Sequence, residues 1–260
     1  LSVREDRVLE AIDSETLVVA LSHVLFRNSY IMDVGPIIRR AHEVGAVVVL
    51  DTYQSAGIIP VDVTALDVDF AVGGCLKWLC GGPGNAFLYT RPALLATLRP
   101  RLTGWFAHRA PFEFDTGPLE PRGDAMRMMS GTPAIPAYYA AIAGLEIVAA
   151  VGVDSIRAKS KRMTSRLIEL IDEKGWPCSV SRDPERVAGT VALAVPDAKH
   201  VARALKSHDY LIDYRVGAGI RVSPHFYNSF EELERIVDEV DRILRDHDYD
   251  ATAPPASLVT

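Results

Sequence analysis

The chain has 260 residues, 48% of them hydrophobic and 24% charged, with a net charge of −6. That is enough for one large domain or two of ordinary globular composition, and the acidic balance gives no electrostatic reason to expect a nucleic acid or an anionic membrane as partner. No apolar run reaches the ~20 residues of a membrane-spanning helix, and Cys75, Cys80 and Cys178 have neither framework nor zinc-ligand spacing, so a cytoplasmic location with free thiols is expected.

The opening residues Leu1-Ser2-Val3-Arg4 include no methionine, and the chain soon reads as the middle of a domain, so it is expected either to be part of a longer protein or to have an incomplete pocket that binds weakly. Arg7 to Ile12 reads as a short helix. Thr16 to Leu21 is a β-branched apolar run, hence a buried strand, and it ends at Ser22-His23. Asp33 is placed to cap a helix over Val34 to Val44, whose Ile37, Ile38 and Ala41 share one side, and Gly45 ends it. Ala46 to Leu50 is the next strand, with Asp51 at its carboxyl end. Val61 to Val63 and Val68 to Val72 extend the sheet, Ala86 to Thr90 turns back, and Pro92 to Leu98 begins another helix.

This alternation predicts an α/β fold with a mostly parallel, doubly wound sheet. Ligands of such sheets lie outside the carboxyl ends of the strands. Ser22, His23, Asp51 and Gln54 all fall there, although His23 reads equally well as a satisfied loop histidine. Lys77 stands alone between Gly73-Gly74 and Gly81-Gly82-Pro83-Gly84, after the next apolar run. An acid and a lysine converging at strand ends suit pyridoxal 5'-phosphate (PLP). The lysine forms a Schiff base with the aldehyde, and the carboxylate keeps the pyridine nitrogen protonated. The plainer alternatives are a snorkelling surface lysine and an aspartate that only caps a turn.

Arg101 to Asp115 is rich in aromatics. Trp105 is read either as part of a hydrophobic plug or subunit contact, or as an indole N–H donor to a phosphate. Thr132, in Gly131-Thr132-Pro133, is placed to cap a helix from Ala134 to Val148, and a helix N-terminus also attracts phosphate. Near Gly152 the character changes. Residues 1–150 are read as a large domain, residues 151–246 as a small α+β domain and residues 247–260 as a disordered tail. The small domain is read as a helix over Val153 to Glu173, a strand starting at Ser179 or Val180, and a strand over Thr190 to Val195. A helix over Ala198 to Ser207, strands over Asp213 to Val216 and Gly219 to Ser223, and a closing helix over Phe230 to Leu244 complete it. Arg221, between Ile220 and Val222, either clamps a carboxylate bidentately or pairs with a neighbouring acid.

Four segments in this order resemble the kynureninase branch of the fold-type I, class V PLP enzymes. They are Lys77-Trp78-Leu79-x-x-Gly82-Pro83-Gly84, Gly104-Trp105-Phe106-x-His108-x-x-Pro111-Phe112, Ser130-Gly131-Thr132-Pro133 and Gly219-Ile220-Arg221-Val222-Ser223-Pro224. The resemblance runs from about Val18 to Leu244. It implies Lys77 as the Schiff-base lysine and proton carrier, Asp51 at the pyridinium nitrogen and Gln54 near the ring. It also implies Ser22 and Trp105 at the phosphate, Thr132 supplied to the neighbouring subunit of a homodimer with shared active sites, and Arg221 on the α-carboxylate of an amino-acid substrate. Two departures stand out. Leu76 occupies the place of the family's tyrosine before the lysine, for which Tyr53 is a candidate substitute, and the family's N-terminal phosphate loop and ring-stacking aromatic are not found before Ser22.

The leading expectation is hydrolytic cleavage of a kynurenine-type side chain in tryptophan catabolism. Another class V reaction (transamination, epimerisation, desulfuration or lysis) is the alternative, with desulfuration ranked low because Cys178 lacks a mobile-loop setting. A cofactor-free interaction protein on the same fold is the reading from a different class.

Overall fold

The structure, a computed structural model, describes residues 4–250, and the chain divides into two compact units. One comprises the chain up to His23 and Met32–Val153; the other comprises Val24–Ile31 and the chain from Asp154 onward.

The first unit holds α1 (Glu5–Ala11), β1 (Val18–Ser22), α2 (Val34–Glu43), β2 (Val47–Asp51), β3 (Phe70–Gly74), β4 (Ala86–Thr90), α3 (Pro92–Leu95) and α4 (Ile135–Val151). Its sheet runs in the order β1-β2-β3-β4. The first two pairings are parallel and β4 returns antiparallel to β3. This is the expected α/β fold with a mostly parallel sheet. Ile37, Ile38 and Ala41 of α2 are buried, as are Val48, Leu50 and Ala71 of the strands, because the 3.6 and 2.0 periodicities of helix and strand place them on inward faces.

Three expectations in this unit are corrected. Val61 to Val63 forms no strand, because the Asp62 carboxylate accepts from the amides of Thr64 and Ala65 and closes a turn there. The helix after Pro92 stops at Leu95, where the Arg127 guanidinium donates to the carbonyls of Leu95 and Leu98. Thr132 is not the cap of α4. Ala134 occupies that position and Pro136 lies in the first turn, so Thr132 stands outside the helix and exposed.

α4 carries apolar residues on all its sides, so its sequence does not choose a packing face. Small residues do. A Cβ at Gly144 would lie 2.0 Å from the Cys80 carbonyl oxygen, and the Ala137 and Ala141 methyls sit against Gly84 and Gly81. The stripe seats α4 directly on the loop that follows Lys77. Gly144→Ala is therefore expected to force the two apart at a cost of about 1–3 kcal/mol, read as a lower urea midpoint with the m-value unchanged.

The second unit holds α5 (Val153–Glu173), β5 (Val191–Leu193), α6 (Ala198–Ser207), β6 (Asp213–Arg215), β7 (Gly219–Val222) and α7 (Phe230–Asp246). Its antiparallel sheet has the order β5-β7-β6. Met163, Leu167 and Ile171 of α5, Val201 and Leu205 of α6, and Ile236 and Val240 of α7 form one core with Leu193 and Ile220. Ser229 and Glu232 close a capping box at the start of α7. No strand starts at Ser179 or Val180. Cys178 makes one isolated bridge to Leu193, and Arg182 then turns outward to pair with Asp172 at 2.7 Å. Val24–Ile31 joins this unit because the Ile31 amide donates to the Arg186 carbonyl, the Ala188 amide to the Ser29 carbonyl and the Thr190 amide to the Ser29 hydroxyl. Beyond α7, Asp248 pairs with Arg242 at 2.7 Å and the Tyr249 hydroxyl donates to Asp197 at 2.9 Å. Of the expected tail, residues 251–260 lie outside the described residues.

Candidate active site

The site of the first unit is built at the carboxyl ends of β1, β2 and β3. Ser22 and Asp51 are register partners in adjacent parallel strands, so their side chains leave the same face. The Ser22 hydroxyl donates to Asp51 Oδ2 at 3.1 Å, and the Tyr53 amide donates to Asp51 Oδ1 at 2.8 Å. Both carboxylate oxygens are thus oriented. In this structure the Ser22 hydroxyl is engaged with Asp51.

Lys77 reaches the same turn from the other side. Its Nζ lies 4.5 Å from the centroid of the Tyr53 ring. Two glycines permit this convergence. A Cβ at Gly74 would meet Tyr53 Cε2 at 2.2 Å, and a Cβ at Gly57, whose φ is +94°, would meet the Trp78 backbone at 2.7 Å. The turn after Asp51 therefore lies directly on the segment carrying Lys77. After Lys77 the chain reverses through Cys80, Gly82 and Gly84, all with positive φ. Gln54 is half-buried in the turn with Tyr53.

The segments that carry Trp105 and Thr132 run side by side. The Gly104 amide donates to the Met129 carbonyl, and a Cβ at Gly104 would fall 1.8 Å from the Ser130 carbonyl oxygen. Trp105 stacks on Phe114 at 5.9 Å between centroids and meets Phe112 edge-on at 5.5 Å. These side chains form an aromatic cluster whose Trp105, Phe112 and Phe114 rings are all exposed. Arg221 lies on β7 of the second unit. Its guanidinium pairs with Asp213 and donates from Nη1 to the Phe26 carbonyl at 2.8 Å. Pairing with an acid, the plainer reading, is present, and three of the five guanidinium N–H groups are engaged in these contacts.

One residue of structural weight carried little signal in the sequence. Asp69 stood as an acid inside an apolar run, Val68-Asp69-Phe70. Its carboxylate is fully buried beneath β2, accepts from the Val48 amide at 2.7 Å, and meets His42 Nε2 at 2.9 Å and Arg91 Nη2 at 2.6 Å. His23 is 8% exposed, its amide donates to the Asp51 carbonyl, and its Nδ1 is buried without a partner among the described residues.

Burial without a compensating acid pushes the His23 imidazole below its ordinary value. The unfolded chain then binds more protons than the native one below the unfolded pKa of about 6.5. Stability is complete above that pH and falls as pH drops toward the folded value, by up to about 1.4 kcal/mol per pH unit. His23→Gln is expected to remove this component, seen as a flatter difference profile of urea midpoints between pH 7 and 5.

The residues fit PLP: an oriented carboxylate at the end of β2 and an amine from the segment after β3 both meet Tyr53. A family model described as aminotransferase class-V matches residues 2–236. An uncharacterized aminotransferase of Bacillus subtilis, YcbU, is 34% identical over 229 residues, covering 88% of this chain and 60% of the relative. A kynureninase of Bacillus thuringiensis is 31% identical over 255 residues, covering 95% and 59%. The chain thus spans about 60% of the length of these curated relatives. Among solved structures, the apo cysteine desulfurase of Thermococcus onnurineus superposes with a TM-score of 0.83 at 25% identity, over 93% of this chain and 63% of the other.

Proposed function

The chain belongs to the aminotransferase class-V family, and from that premise we propose that it forms part of a PLP-dependent enzyme acting on an amino acid, by kynureninase-like hydrolytic cleavage. The cofactor is pyridoxal 5'-phosphate. When bound, it supplies an electron sink for carbanion chemistry at the substrate α-carbon.

The observation that carries the reading is that Asp51 and Lys77 both meet Tyr53. Tyr53 donates its amide to Asp51 at 2.8 Å and presents its ring to Lys77 Nζ at 4.5 Å. Asp51 holds a negative charge where the pyridine nitrogen needs one, and Ser22 and the Tyr53 amide fix the direction of its oxygens. Lys77 is the amine that anchors the cofactor and, once released, carries the proton to or from the α-carbon. Desulfuration needs a thiolate nucleophile, whereas burial pushes the Cys75, Cys80 and Cys178 thiols up and keeps them protonated at neutral pH. We assign Arg221 to the substrate carboxylate. Arg221→Lys is expected to raise KM on the order of 10–100-fold with kcat little changed, as loss of a bidentate contact does.

The chain is tested by incubating it with PLP, reducing with borohydride and mapping the product by mass spectrometry. Label on Lys77 is expected; label elsewhere, or none, ends the PLP assignment. Release of anthranilate from kynurenine by the full-length protein tests the reaction, and normal cofactor loading without release removes the hydrolase.

A further inference from the structure

We infer that Tyr53 is a positioning residue for Lys77, its ring face holding the ammonium at a fixed place above the turn that orients Asp51. Three observations carry this. Lys77 Nζ is 4.5 Å from the Tyr53 ring centroid, within the range in which an aromatic face attracts a cation. The ring lies against Gly74, where a Cβ would fall 2.2 Å from Tyr53 Cε2. The backbone of the same residue donates to Asp51 Oδ1, so one residue sets the direction of the acid and the place of the amine.

The side chain just before the lysine, Leu76, is 48% exposed and has no polar atom to offer. An aromatic face reaching Lys77 from the β2 turn supplies contact from a different element. The two segments that meet at the Tyr53 ring also carry the Asp51 carboxylate and the Tyr53 phenol on the one, and the Cys75 and Cys80 thiols on the other. Both thiols stay neutral through burial. An aromatic face stabilises an ammonium over a free amine, so the ring favours the protonated lysine and opposes its loss of a proton to solvent.

The catalytic meaning of this contact rests on the PLP reading, but its test does not. Lysines of the 260-residue chain are reductively methylated with ¹³C-formaldehyde without cofactor, and the Lys77 methyl signal is assigned by comparison with Lys77→Arg. In the unsubstituted protein this signal is expected upfield of the other lysines by the ring current of Tyr53; a signal at the ordinary lysine position overturns the inference without any Tyr53 variant. On titration, Tyr53→Leu is expected to lower the apparent Lys77 pKa on the order of one unit, while Tyr53→Phe keeps the original value. Equal values for Tyr53→Leu and the unsubstituted protein also overturn it. If the shifts appear but borohydride leaves no PLP on Lys77, the positioning stands and the PLP reading falls.

Discussion

Asp51→Asn is expected to reduce PLP-dependent turnover by about 10²–10⁴-fold while leaving the fold almost untouched. The substitution keeps the size and shape of the side chain. Asparagine Oδ1 can still accept from the Tyr53 amide, and its amide nitrogen can face the Ser22 hydroxyl, which then accepts in place of donating. What disappears is the negative charge. A neutral amide does not hold a proton on a pyridine nitrogen, so the ring loses most of its capacity as an electron sink. Borohydride should still fix the cofactor on Lys77, because attachment needs the amine and not the acid. The informative result is thus a split, with covalent loading retained, turnover lost and the urea midpoint within about 0.5 kcal/mol of the original. A large drop in stability would mean that Asp51 serves the sheet more than the ring.

Asp69→Ala is expected to show the largest stability effect, about 3–5 kcal/mol. The carboxylate has no exposure and serves the Val48 amide, His42 and Arg91 together. Removing it leaves the Arg91 charge without its buried partner and the Val48 N–H unsatisfied. Val48 lies on β2, three residues before Asp51, and Asp69 immediately precedes β3, whose carboxyl end leads to Lys77. Asp69 therefore ties together the two strands that present the acid and the lysine. Equilibrium urea unfolding of Asp69→Ala and Asp69→Asn checks this. Asn is expected between alanine and the original, since it can still accept from the Val48 amide but carries no charge for Arg91. A loss below 1 kcal/mol in both would refute the assignment of Asp69 as the tie between the strands.

Local signals in the sequence determined most of the elements. The β-branched runs of β1 and β2, the Ile37/Ile38/Ala41 spacing of α2, the Gly45 stop and the turn-back strand β4 were all legible, because periodicity and turn chemistry act over a few residues. Asp51 and Lys77 were legible as candidates for the same reason, since one ends a strand-length apolar run and the other stands between glycine clusters after the next. Only the tertiary structure decided what those side chains touch. Ser22 reads from sequence like a phosphate ligand, and parallel register places its hydroxyl on Asp51. Tyr53 becomes a neighbour of Lys77 only where Gly74 leaves room across the strand gap. The apolar circumference of α4 names no packing face until Gly144 admits the Cys80 carbonyl. In each case the deciding contact joins residues far apart in the chain, set by close packing between elements, and short-range sequence pattern contains no record of it.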